Sequence, residues 1–271
     1  MKVKIISLII LLVSVSLSCK KEGVMIPDMV KVPLIKGVRA ADQPQFEYIY
    51  NYARLVSEEK GKYSYTNYNY NEQNQLVTTD YYINRALLSS DQNLLESALN
   101  QQGLMNLVST ELGGTMRYEY NASGQLVKTV TLRPLEGTSE YSEYRYDDTD
   151  RIGREILYWD SNVLGYIDYI YDDRGNLISE ALYSISSSGL AELNTTTQYE
   201  FDNKQNPFRS FQRLLSPGIN TNPNNITKET YTIHQVQGEG SDIVQVTSIS
   251  YVYSSLGFPV RKNGTVEYIY E

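Results

Sequence analysis

Seven times along this chain, two aromatic residues stand at alternate positions and are followed by a short polar residue, a turn-sized gap and an aliphatic residue or proline. The pairs are Tyr48 and Tyr50, Tyr68 and Tyr70, Tyr118 and Tyr120, Tyr144 and Tyr146, Tyr169 and Tyr171, Tyr199 and Phe201, and Tyr251 and Tyr253. An interval of two puts both rings of a pair on one face of a strand, so each copy reads as half of a β-hairpin and not as a helix. Tyr70 to Leu76, Tyr120 to Leu126, Tyr146 to Ile152, Tyr171 to Leu177, Phe201 to Pro207 and Tyr253 to Pro259 keep one interval, and Tyr50 to Leu55 is one residue shorter.

The residue after the second aromatic is Asn51, Asn71, Asn121, Asp147, Asp172, Asp202 or Ser254, whose side-chain oxygen can accept a backbone N–H about two residues on and start a turn. Three positions later stand Asn74, Gly124, Asp150, Gly175, Gln205 and Gly257. Gly, Asn and Asp tolerate positive φ, so this slot predicts the left-handed residue of a type I turn with a G1 bulge, a role that Gln205 fits poorly. Between the paired rings lie Ile49, Asn69, Glu119, Arg145, Ile170, Glu200 and Val252, which makes the aromatic face the inner one.

Tyr171, Asp172, Gly175 and Leu177 match in full, and Tyr120, Asn121, Gly124 and Leu126 match with Asn for Asp, a phrase that resembles the YD repeat of the RHS family, Tyr-Asp-x-x-Gly-x-Leu. The resemblance extends over most of residues 46–271 and implies an antiparallel array of hairpins of the kind that builds a spiralling β-shell. The irregular intervals, wide after Tyr70 and after Phe201, are similar to those of short YD-like lipoproteins of unknown function from Bacteroidota. The fold expected is mainly β: YD/RHS-like hairpins in a twisted, curling sheet with one short helix.

That helix is placed at residues 91–101, where Ser89 and Gln92 resemble a capping box, Leu94, Leu95, Ala98 and Leu99 recur at helical spacing and Gly103 follows. Gly113 and Gly114 read as a hairpin turn between Met105–Glu111 and Thr115–Tyr120. Two further strands are expected near Thr227–His234 and Ile243–Tyr253, and residues 216–225 (SPGINTNPNN) as a loop.

Lys2 and Lys4 precede an apolar run from Ile5 to Val15, too short to span a bilayer and flanked like a secretory signal. Ser18 directly before Cys19, the single cysteine, resembles the lipobox of bacterial lipoproteins, whose cysteine is acylated. The expected division is a signal peptide at residues 1–18, the lipidated Cys19 with a tether to residue 45, and one β-domain over 46–271. Apolar residues from Val24 to Ile35 leave room for a strand within the tether. The expected partners are a membrane, reached through the N-terminal lipid in the cell envelope and at the outer membrane, and a glycan or an envelope protein. Without Lys2 and Lys4 the formal charge moves from −8 to about −10, which argues against nucleic acid.

Hydrophobic residues make up 41% of the chain, but that share includes 25 tyrosines, so cross-strand aromatic pairs must supply much of the stability. His234 is the single histidine and has no cysteine partner, so neither nucleophilic catalysis nor a zinc site is expected, and no cofactor. Asp147, Asp148 and Asp150 form the densest acidic cluster, without EF-hand spacing. Tyr158 and Trp159 end a strand before a polar turn, and because neighbours face opposite ways, one of them presents an aromatic platform to solvent. These features point to a non-catalytic lipoprotein that binds a glycan or other polymer. The alternatives are a scaffold joining a protein through a sheet edge and a carboxylate-dependent glycan hydrolase, which needs two carboxylates about 5 to 9.5 Å apart.

Overall fold

The computed structural model describes residues 32–83, 103–105, 110–133, 140–211, 217, 222–235 and 240–271. The chain divides into a unit ending at Val32 and a unit from Pro33 to Glu271, and the fold below is that of the second. The signal peptide, Cys19 and the helix expected at 91–101 lie outside the described residues.

One antiparallel sheet of seventeen strands organises this unit. Its first nine strands are β1 Ile35–Ala40, β2 Gln43–Tyr50, β3 Val56–Gly61, β4 Ser64–Tyr70, β5 Leu76–Ile83, β6 Glu111–Tyr120, β7 Leu126–Leu132, β8 Glu140–Tyr146 and β9 Ile152–Trp159. The rest are β10 Asn162–Tyr171, β11 Leu177–Ile185, β12 Ala191–Gln205, β13 Asn224–Ile233, β14 Ile243–Ser248, β15 Tyr251–Tyr253, β16 Pro259–Lys262 and β17 Val266–Tyr270. Each strand pairs with the next from β1 to β14 and again from β15 to β17, and β17 pairs back onto β1. The sheet is open, with β14 and β15 as its edges. These edges run into one another through Ile249 and Ser250: Ile249 N–H donates to Thr227 O (2.8 Å) on one side, and Asn263 N–H donates to Ser250 O (2.9 Å) on the other.

The repeat folds as its residues dictate. Asn51, Asn71, Asn121, Asp147 and Asp172 each accept two backbone N–H bonds through Oδ1, from the residues two and four positions on. Arg54, Asn74, Gly124, Asp150, Gly175 and Gly257 take positive φ, between 60° and 88°. A register shift follows each turn, the bulge that such a residue produces. Partial burial raises the Asp172 carboxyl, but bonds from Asn176 and Arg174 outweigh it and hold the group below its ordinary value.

A second regularity joins one hairpin to the one before it. Tyr50 Oη donates to Ile35 O (2.6 Å), Tyr70 to Val56 O (2.7 Å), Tyr120 to Leu76 O (2.8 Å), Tyr171 to Ile152 O (2.8 Å) and Tyr270 to Pro259 O (2.7 Å). In the copies that end in Tyr50, Tyr70, Tyr120 and Tyr171 the second aromatic is thus a phenol whose ring packs inward while its hydroxyl occupies the carbonyl opening the preceding return strand; Phe201 has no hydroxyl, and Tyr253 donates to Asp202 instead. A half-buried carbonyl is satisfied where the bulge takes it out of the ladder.

The structure corrects several details of the sequence reading. Tyr50 pairs with Val56 and not Leu55, which restores the common interval. Gln205 has no positive φ, and β12 continues through 202–205 with a register shift against β13; Asp202 accepts Lys204 N–H (2.8 Å) but also Asn225 N–H and the Tyr253 hydroxyl. Gly113 and Gly114 make no turn but lie inside β6, where Gly113 passes close to Ile83 and an added Cβ would meet its side chain at 3.2 Å. The end of the tether belongs to the sheet, since Ile35–Ala40 is β1.

On the inner face, Ile35, Val38, Tyr48, Val56 and Phe211 form a buried cluster, with Phe211 supplied by a 3-10 turn at Pro207–Phe211. The first aromatic of each copy faces a polar cross-strand partner: Tyr48 pairs with Glu59, Tyr68 with Thr79, Tyr118 with Thr129, Tyr144 with Glu155, Tyr169 with Glu180 and Tyr199 with Glu229. Burial, and then the Glu155 charge, push the Tyr169 phenol well above its ordinary value, so it stays protonated and donates to Glu155 (2.8 Å).

Candidate functional site

Tyr158 and Trp159 fall on opposite sides of β9. Glu155 faces Tyr144 and Tyr169 on the inner side, so Leu157 and Trp159 share that side, while Arg154, Ile156 and Tyr158 lie on the outer one. Trp159 is half-buried opposite Glu140 and Asn162, which leaves Tyr158 as the outward aromatic.

Tyr158 does not stand alone. Its ring stacks on its cross-strand partner Tyr141, with centroids 4.4 Å apart and planes 8° from parallel, and Lys128 Nζ covers the Tyr141 ring at 4.0 Å. The Tyr158 hydroxyl donates to Glu143 (3.2 Å). Next along the same face, Tyr166 stacks on its partner Tyr183 (4.7 Å, 19°), and Arg154 lies over Tyr166 at 4.0 Å. Arg154 is held by two bonds to Asp168, 2.5 and 2.8 Å, and chiefly that hydrogen bonding raises its already high pKa. Each assembly therefore reads cation, ring, ring, with an acid at its side. Among the described residues neither Tyr158 nor Tyr183 has a ring or cation on its second face. Exposed Val163 and Leu164 lie beside them at the start of β10.

The sequence marked Tyr158 but not Tyr141, Tyr166 or Tyr183, because none of the three belongs to a repeat pair. Their signal is register: Tyr141 opposite Tyr158 and Tyr166 opposite Tyr183, legible only once the strands are aligned.

A cavity of about 260 Å³ near these strands is lined by Thr129, Tyr144, Leu157 and Tyr158 and by two carboxylates, Glu140 and Glu155. Both acids are engaged: Glu140 with Arg133 (2.9 Å) and Glu155 with Tyr144 (3.3 Å) and Tyr169 (2.8 Å). His234 has Thr196 Oγ1 at 3.0 Å from Nε2 and Asp242 Oδ2 at 2.8 Å from Nδ1. That order is the one a hydroxyl nucleophile needs, but Thr196 lies mid-strand, with β11 and β13 paired on either side, so its surroundings offer no spare backbone donors for an oxyanion. The histidine clips the base of the β13–β14 connection, with Gln235 N–H also bonded to Asp242 (3.2 Å). Asp147, Asp148 and Asp150 occupy a turn, and among the described residues no group of three His, Cys, Asp or Glu is arranged to hold a metal ion. Half of the 216–225 loop lies outside the described residues; its last residues are anchored, with Asn222 Oδ1 accepting Leu177 N–H (2.7 Å).

No family model matches the chain, and no curated protein matches it. Among solved structures, a porin-like protein from Bacteroides vulgatus is similar at 10% identity and a TM-score of 0.39, over 89% of this chain and 99% of that one. A porin-like protein from Bacteroides uniformis aligns at 12% identity and a TM-score of 0.36, over 88% and 98%. The TcdB2-TccC3 structure aligns at 15% identity and a TM-score of 0.30, over 78% of this chain and 10% of that one.

Proposed function

We propose that the protein is a non-catalytic component of the cell envelope, lipid-anchored at Cys19 in the outer membrane, that binds a glycan across the outer tyrosine face of β8–β11. The observation that carries this reading is the pair of stacks ending in the open faces of Tyr158 and Tyr183. Those rings lie two strands apart and two residues apart along the strands, roughly 12 Å by strand and residue spacing, an interval suited to a chain of sugars more than to one small ring. Glu143 and Asp168 add acceptors, and Lys128 and Arg154 donors, for hydroxyl groups. A glycan panel titrated against the full chain is expected to give saturable binding that Tyr158→Ala and Tyr183→Ala each weaken at least about tenfold, as for loss of a buried aromatic contact. Trp159→Ala, on the other side of the strand, is expected to leave affinity unchanged. No saturable binding, or equal losses at Trp159, would remove the basis of this reading.

A protein-partner reading has one observation in its favour. All six residues of β14 are exposed, Ile243, Val244 and Val246 at 56 to 57%, the strand bears no charge, and among the described residues β13 is its one ladder partner. Such an edge accepts an added strand. Lysines at Val244 and Val246 are expected to abolish concentration-dependent association in light scattering while changing stability by less than about 0.5 kcal/mol.

A further inference from the structure

Where the first and last strands meet, β1, β2 and β17 enclose a second cavity, of about 460 Å³. Val38, Phe46, Leu104 and Ile269 give it apolar walls, and among the described residues that line it Lys36 and Arg39 bring two cations against one acid, Glu47. The volume falls within the range of small-molecule pockets, which are mostly apolar with a few placed polar groups.

The local backbone explains how the cations come to be there. β1 is only six residues long yet shifts register twice, between Ile35 and Gly37 against β17 and between Val38 and Arg39 against β2. Lys36 is the extra residue of the first bulge, and such irregularities re-aim side chains. Gly37 allows the close approach, because an added Cβ would lie 2.9 Å from Phe46 O. Phe46 leaves 37% of its surface exposed although it stacks on Tyr48. Lys36 and Arg39 are both exposed, and neither has a side-chain bond or ion pair among the described residues. A partly exposed apolar wall beside two cations that have no side-chain partner among the described residues, in a chain of formal charge −8, suits a ligand with an apolar body and one anionic head.

We propose that this cavity binds an anionic amphiphile, its hydrocarbon against Val38, Phe46, Leu104 and Ile269 and its carboxylate or phosphate head on Lys36 and Arg39. The site is separate from the tyrosine face. The test is calorimetric titration of the full chain, below micelle formation, with octanoate, octyl phosphate, octyltrimethylammonium and octyl glucoside. Saturable binding near one to one is expected for an anionic probe, the tighter of the two identifying the head group, with none for the cationic probe. Lys36→Gln with Arg39→Gln is expected to lower that affinity at least tenfold without moving the urea midpoint, and Ile269→Trp to block it by filling the space. Equal binding of all four probes, no binding of either anion, or unchanged affinity in the glutamine variant would overturn the proposal.

Discussion

Replacing Gly165 with alanine is expected to give the largest loss of stability of any single-methyl change in the sheet. Gly165 is buried in β10, and a Cβ built there lies 2.0 Å from Tyr183 O, 3.1 Å from Tyr183 C and 3.2 Å from Ser184 Cα. Those are backbone atoms of the paired strand, so no rotamer change relieves the clash; β10 and β11 must separate. The cost is on the order of 3 kcal/mol or more. Gly153→Ala is the matched control, since its Cβ meets Asp147 at an ordinary 3.4 Å. Urea unfolding of the two variants checks the difference. Because Tyr183 sits at the point of separation, Gly165→Ala is also expected to disrupt the Tyr166–Tyr183 stack and weaken binding on the outer face.

The next largest effect is expected at the aliphatic slot of the repeat. Leu76, Leu126 and Leu177 are 0 to 1% exposed, while the aromatics that precede them retain some exposure. Leu177→Ala removes a fully enclosed side chain whose own N–H is tied to Asn222 Oδ1 (2.7 Å), so the site cannot readily collapse. A loss of about 3 kcal/mol follows, a fall of roughly 6 to 12 °C in Tm for a domain of this size. Ile170→Ala, at a residue 58% exposed in the same hairpin, is expected to change Tm by less than about 2 °C. Thermal unfolding of both variants measures the contrast.

What was legible in the sequence was local. Asn51, Asp172 and Gly175 announce the turn because an Asx oxygen and a positive-φ residue act within five residues of each other, and Gln205 marks the copy in which no such turn forms. The inner face was legible from the alternation of tyrosines with Asn69, Glu119 and Arg145. What the sequence did not disclose depends on partners far along the chain. Gly113 and Gly114 look like a turn by composition, but cross-strand pairing with β5 keeps them extended. The outer stacks need Tyr141 opposite Tyr158 and Tyr166 opposite Tyr183, which register alone decides. The larger cavity requires β1 to meet β17, more than two hundred residues away, and two bulges with no sequence signature beyond Gly37.

Both the fold and the alignment of the outer rings depend on the phenols, Tyr50, Tyr70, Tyr120 and Tyr171, that fasten a hairpin to the one before it. Hydroxyl deletion isolates that bond while keeping the ring: Tyr120→Phe and Tyr171→Phe, set beside Tyr52→Phe, whose side chain is fully exposed. Urea unfolding is expected to show a loss of about 1 kcal/mol for each of the first two, because Leu76 O and Ile152 O lose their donors, and no change for the third. Tyr120→Phe and Tyr171→Phe variants as stable as Tyr52→Phe would contradict the account, leaving the repeat's second tyrosine with a packing role alone.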